Sequence, residues 1–208
     1  MPYRPSTALQ LTAAVALVSL LAGCPKDSPD SSSPTVSTQL SPSPSPAKPL
    51  AAAPTCAEIK GSIVRGLIDP YYAFGKDGAP LTEGIFSGED GLNLVVQQPC
   101  TTGDLGGEIG NVTVGTIMNS IVDTTGRTWS VMLCTKGADR AQCVVHFALG
   151  DRDPIESVTV ADKKLTLVYL TRPADGPAAG VSIKRTAIYA TDGTILKEQS
   201  HTDAPYTP

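Results

Sequence analysis

Several things are missing from this 208-residue chain, and each absence narrows its chemistry. Basic residues are in no excess: Lys and Arg number 16 against 20 Asp and Glu, a net charge of −4. That balance lacks the electropositive footprint a nucleic-acid binder needs. No apolar run reaches the roughly 20 residues of a mature membrane-spanning helix. The cysteines form no short Cys-x-x-Cys spacing, so no metal site is expected. Gly-x-Ser-x-Gly elbows, His-Glu-x-x-His helices and phosphate loops are also missing. Aromatic residues make up only 5%, and there are just two histidines, His146 and His201.

What is present begins with an address. Arg4 near the amino terminus precedes the apolar stretch LQLTAAVALVSLL at 9–21, followed by Ala22, Gly23 and Cys24. The stretch is too short for a stable span and suits the hydrophobic region of a secretory signal. Leu21-Ala22-Gly23-Cys24 resembles the lipobox of bacterial lipoproteins. The resemblance implies a signal peptide over 1–23 and acylation of Cys24 as the first mature residue. Palmitate-class chains there, at about 0.8 kcal/mol per buried methylene, anchor a protein stably once two or more are attached. The implied location is the cell membrane or outer membrane, with the chain facing the periplasm or exterior and the bilayer as its first partner.

A tether follows, over 24–55. Residues 25–54 hold eight Pro and eight Ser, including SPSPSP at 41–46. Such a segment cannot bury enough apolar surface to offset its ordering entropy, so it is expected to be disordered. At about 3.1 Å per residue in polyproline II it spans up to roughly 90 Å.

From Cys56 to 208 the composition changes to short Val, Ile and Leu runs split by Gly and Asp, enough for one globular body. Its 13 basic and 18 acidic side chains give −5. Strands are expected at 129–134, 143–149, 156–160, 165–170, 181–190 and 194–200, with Asp192-Gly193 as a hairpin signal. Further strands are expected near 92–97 and 111–122, and 57–68 reads as either a short helix or a strand. Val181, Ile183, Ala187 and Tyr189 share one face of their strand, with Ser182, Lys184 and Thr186 on the other. The fold class is therefore all-β or β-dominated, with antiparallel hairpins forming a sandwich or partly open barrel.

With Cys24 acylated, four cysteines remain, and an exported chain meets an oxidising compartment. Cys134 and Cys143 lie on the two arms of one hairpin, and Cys56 with Cys100 follows by exclusion. That register would put Val131 opposite His146, with Trp129 and Leu133 diagonal to it.

Candidate chemistry is thin. Asp151 and Asp153 are a carboxylate pair, but turns beside strands are where Asp belongs anyway. As a calcium loop the segment places Glu156 at its sixth position and Asp162 at its twelfth, where Gly and Glu are needed. Ser87-Gly88-Glu89-Asp90-Gly91 reads as an exposed turn, and His201 near Asp203 fits no motif.

The order Tyr72, Lys76-Asp77-Gly78, Leu81-Thr82-Glu83-Gly84, Trp129 and Leu149-Gly150-Asp151-Arg152 before Val158 resembles a group of bacterial envelope proteins without an assigned activity. Where such proteins carry an acidic calcium-type loop, this chain has Gly106-Gly107-Glu108-Ile109-Gly110-Asn111, with most acids gone. The resemblance implies a shared β scaffold rather than a reaction.

The expectation is a membrane-anchored envelope lipoprotein with a non-catalytic binding or structural role. It needs no cofactor, and its partner is an envelope protein or the cell wall. The rivals are an envelope hydrolase using His146 with Asp151 or Asp153, and an inhibitor or carrier of apolar ligands.

Overall fold

The structure is a computed structural model that describes residues 52–69, 72–73, 77–177 and 180–207. The signal peptide, Cys24 and nearly all of the tether lie outside the described residues, as do Lys76 and the side chain of Tyr72.

The body opens with a single 3₁₀ turn, Glu58–Gly61, held by a reciprocal cap. The Thr55 amide donates to Glu58 Oε2 at 2.6 Å and the Glu58 amide donates to Thr55 Oγ1 at 3.2 Å. The turn buries Ile59 and stops at Gly61, because the β-branched Ile63 and Val64 that follow favour a strand.

Thirteen strands follow among the described residues. They are β1 (Ile63–Arg65), β2 (Leu67–Asp69), β3 (Tyr72–Ala73), β4 (Ala79–Pro80), β5 (Ile85–Ser87), β6 (Leu92–Asp104) and β7 (Asn111–Ile121). Then come β8 (Arg127–Lys136), β9 (Ala141–Asp151), β10 (Ile155–Ala161), β11 (Lys164–Thr171), β12 (Ile183–Asp192) and β13 (Ile195–Pro205). All eight strands expected from the sequence are present, most of them longer than their apolar runs suggested.

Seven strands form one sheet in the order β4-β1-β9-β8-β7-β6-β5, antiparallel except for the β1–β9 pair. Its edge strands β4 and β5 are joined by residues 81–84, so the sheet curls until its edges meet. Within that connection Gly84 bonds to both sides, its N donating to Lys60 O of the entry turn at 2.7 Å and its O accepting from Val96 N of β6 at 2.8 Å. The result is a nearly closed barrel. A second sheet, β10-β11-β12-β13, is a wholly antiparallel meander, and β2 and β3 form a small ribbon.

Alternation along β7 and β8 explains how the parts pack. Met132 and Cys134 point into the barrel with Ile59, Val64, Leu94, Ile117 and Cys143. Val131 and Leu133 point outward with Val112 and Val114, against Val158, Leu165, Leu167, Ala187 and Tyr189 of the second sheet. Both faces of β7 and β8 are therefore buried, which is why their sequences run nearly continuously apolar. Each fully buried Leu or Val contributes about 1.5–3 kcal/mol. The close approach of β6 to β10 needs a missing side chain: a Cβ on Gly103 would lie 2.4 Å from Val160 Cγ1.

Candidate functional site

The β8–β9 ladder departs from the simple register. Cys134 faces Cys143 and Met132 faces Val145, but Val131 faces Phe147. His146 is the extra residue of a β-bulge, not the partner of Val131 as uninterrupted pairing would have it. The bulge reverses the alternation at this point. Val145 stays inside the barrel, whereas Val144, His146 and Phe147 all project outward.

The His146 ring enters a small hollow of about 230 Å³. Val112 and Leu133 are its buried floor, Val144 is 45% exposed at its side, and Glu108, Ile109 and Thr194 stand at the rim. The rim loop is built by its glycines. Gly106, Gly107 and Gly110 have φ of 70°, 56° and 64°, and Gly106 N donates to Asp104 Oδ1 at 2.8 Å. Burial alone pushes the His146 imidazole below its ordinary pKa, so at neutral pH it is uncharged. Among the described residues no hydrogen bond reaches this ring.

Asp151 and Asp153 line a different hollow, with Gly150, Thr171, Arg172 and Gly176. Asp151 accepts a hydrogen bond from the Arg127 amide at 2.8 Å, with Arg152 Nε 3.6 Å from its other oxygen. Asp153 is buried and accepts from Thr171 Oγ1 and Arg172 Nη2, each at 2.9 Å. Arg172 also donates to the Asp151 carbonyl. These contacts tie the β9–β10 turn to the end of β11. The structure thus gives both carboxylates structural partners and does not bring them to His146.

His201 belongs to a cluster that sequence reading missed. Ile188 pairs with Ser200 but Tyr189 pairs with Glu198, so Gln199 is the extra residue of another bulge. Without it, Glu198 and His201 would point to opposite faces. With it, His201 Nδ1 lies 2.6 Å from Glu198 Oε1, and the Tyr189 hydroxyl donates to Glu198 Oε2 at 3.3 Å. On the same face Arg185 grips Asp203 with two bonds of 2.7 Å, and that contact holds the Asp203 carboxyl below its usual range. Burial raises the phenols of Tyr169 and Tyr189. One signal was available: Arg185 interrupts the apolar face of Ile183, Ala187 and Tyr189.

The Ser87–Gly91 segment is a turn. Asp90 Oδ1 accepts the Leu92 amide at 3.3 Å, and the Gly91 carbonyl accepts the Val122 amide at 2.9 Å.

The structure joins Cys134 to Cys143 and Cys56 to Cys100, the two pairs drawn from the sequence. The first bridge is fully buried inside the barrel, its Cα atoms 4.0 Å apart. The second ties the entry turn to Cys100, where β6 breaks register between Gln97 and Thr101. No His/Cys/Asp/Glu group of three suited to a metal ion occurs among the described residues.

No family model, curated protein or solved structure matches this chain.

Proposed function

We propose that this chain is an exported bacterial envelope lipoprotein, anchored by acyl groups on Cys24, whose stapled β body works by non-covalent binding. The lipobox and the Pro/Ser-rich segment after it support the anchor and the stalk. No helix among the described residues is long and apolar enough to cross a membrane.

The observation that carries the binding reading is a separation. The imidazole sits in one hollow over an apolar floor, Asp151 and Asp153 are engaged in another, and Glu108 at the imidazole's own rim makes no hydrogen bond to it. A lone, uncharged, half-buried His beside apolar side chains recognises a ligand more readily than it activates water.

Metabolic labelling with a clickable fatty acid tests the anchor. Signal is expected on the wild-type chain and none on Cys24→Ser, and an unlabelled wild type would overturn it. Replacing His146 with Ala tests the binding half. A turnover of cell-wall or peptide substrate that this change abolishes, with the melting temperature intact, would establish the hydrolase instead.

A further inference from the structure

We propose that the hollow beside β9 takes a phenolic ring, with the hydroxyl on the His146 imidazole and the ring against Val112, Leu133 and Val144. This deepens the binding reading above and rests on it. Three features of the hollow lead to this ligand class.

The first is size. At about 230 Å³ the hollow is smaller than the roughly 300–1,000 Å³ of drug-sized pockets, and it suits one ring rather than a lipid chain. The second is the bulge. Bulges redirect side chains and gather next to functional sites. This one leaves His146 without a cross-strand partner, on the outward face it shares with Val144, which stays 45% exposed although it lies within the strand. An uncharged imidazole offers one donor and one acceptor, the complement of a hydroxyl group.

The third feature is charge. Glu108 is the one carboxylate at the rim, and Arg65 donates to Oε1 of the lining residue Gln142 from the neighbouring strand β1. Glu108 is thus the one charged residue of the lining, and it stands at the rim rather than on the floor of Val112 and Leu133. Thr135, Gln142 and Thr194 also line the hollow, and the Gln142 amide is engaged by Arg65 and the Arg140 carbonyl, so over the apolar floor the unbonded His146 ring is the group left to meet the hydroxyl of a neutral ring.

The ring belongs either to a free phenol or to a tyrosine side chain, and the test separates them. Phenol, N-acetyl-tyrosinamide, toluene, benzoate and benzylammonium are titrated into the full-length protein in nonionic detergent. The His146 ring and the Val144 methyls are followed by NMR. Phenol is expected to shift both sets of signals and to bind about fivefold more tightly than toluene, the effect of one neutral hydrogen bond. Both ions should bind more weakly than phenol. Tighter binding of N-acetyl-tyrosinamide than of phenol assigns the ring to a protein partner, and the reverse assigns it to a free molecule.

Val144→Lys, a change at an exposed side chain, should remove the shifts while leaving the melting temperature in place. Equal binding of toluene or of either ion, shifts that miss His146, or binding that survives Val144→Lys would each overturn the proposal. Failure here leaves fatty-acid labelling of Cys24 unaffected, so the anchor and the hollow stand or fall separately.

Discussion

Phe147 stacks on Tyr189, with ring centroids 4.7 Å apart and planes inclined by 18°. One ring comes from the barrel and the other from the second sheet, and the β9 bulge is what turns Phe147 outward to make the contact. Phe147→Ala is expected to cost about 3 kcal/mol, from lost area plus the cavity left against Tyr189. Phe147→Leu should cost less than half of that. Urea denaturation of the two variants checks both values. Equal stability of Phe147→Ala and wild type would show that the stack does not hold the sheets together.

The two disulfides should differ in their response to reductant. Cys134 and Cys143 are fully buried, whereas Cys56 and Cys100 are only partly so. Chain-entropy arithmetic gives about 2.7 kcal/mol for the short loop and about 4 kcal/mol for the long one. Mild reduction of the native protein should therefore open Cys56–Cys100 first, as alkylation and peptide mass mapping would report. The bridge that closes the longer loop, and removes more chain entropy, is thus the one a reductant reaches sooner.

Acid should weaken the body in two steps. His146 is pushed below its ordinary value by burial, so the unfolded chain binds its proton first as pH falls through about 6.5. Where the unfolded state holds more protons, stability falls with falling pH. That loss starts at the unfolded value and ends at the lower folded one. Asp203 is held low by Arg185, so its contribution is present above about pH 4 and disappears below. Thermal melts of His146→Phe should lose only the first step and those of Asp203→Asn only the second. Because Asp203 is partly exposed, the second step is small and should shrink further in salt.

Much of this architecture was legible as pattern. The 156–160, 165–170 and 181–190 runs became β10, β11 and β12 because their period-two alternation matches a sheet covered on one face. The Asp192-Gly193 turn fell where two residues tolerant of positive φ meet, and Gly193 has φ of 61°. What the pattern does not announce is the bulges at His146 and Gln199. One extra residue in a strand leaves composition and alternation almost unchanged, yet it swaps every later side chain to the other face. Uninterrupted pairing therefore gives His146 a cross-strand partner it lacks and hides the Glu198–His201 contact. The engagement of Asp153 by Arg172, 19 residues away, is a tertiary contact that no local spacing announces.

Gly103 gives the sharpest test of how the two sheets meet. An added Cβ would come within 2.4 Å of Val160 Cγ1 and 2.6 Å of Val160 Cβ, far inside contact distance. Gly103 does not have positive φ, so an Ala there meets only space, not backbone strain. Gly103→Ala is expected to destabilise by about 1–3 kcal/mol through overpacking. Val160→Ala alone should also destabilise, by removing methyl groups from the interface. Combined, the two changes should cost less than their sum, because the shortened Val160 makes room for the new methyl. Strict additivity in a double-mutant cycle would mean that β6 and β10 do not touch at this point in solution.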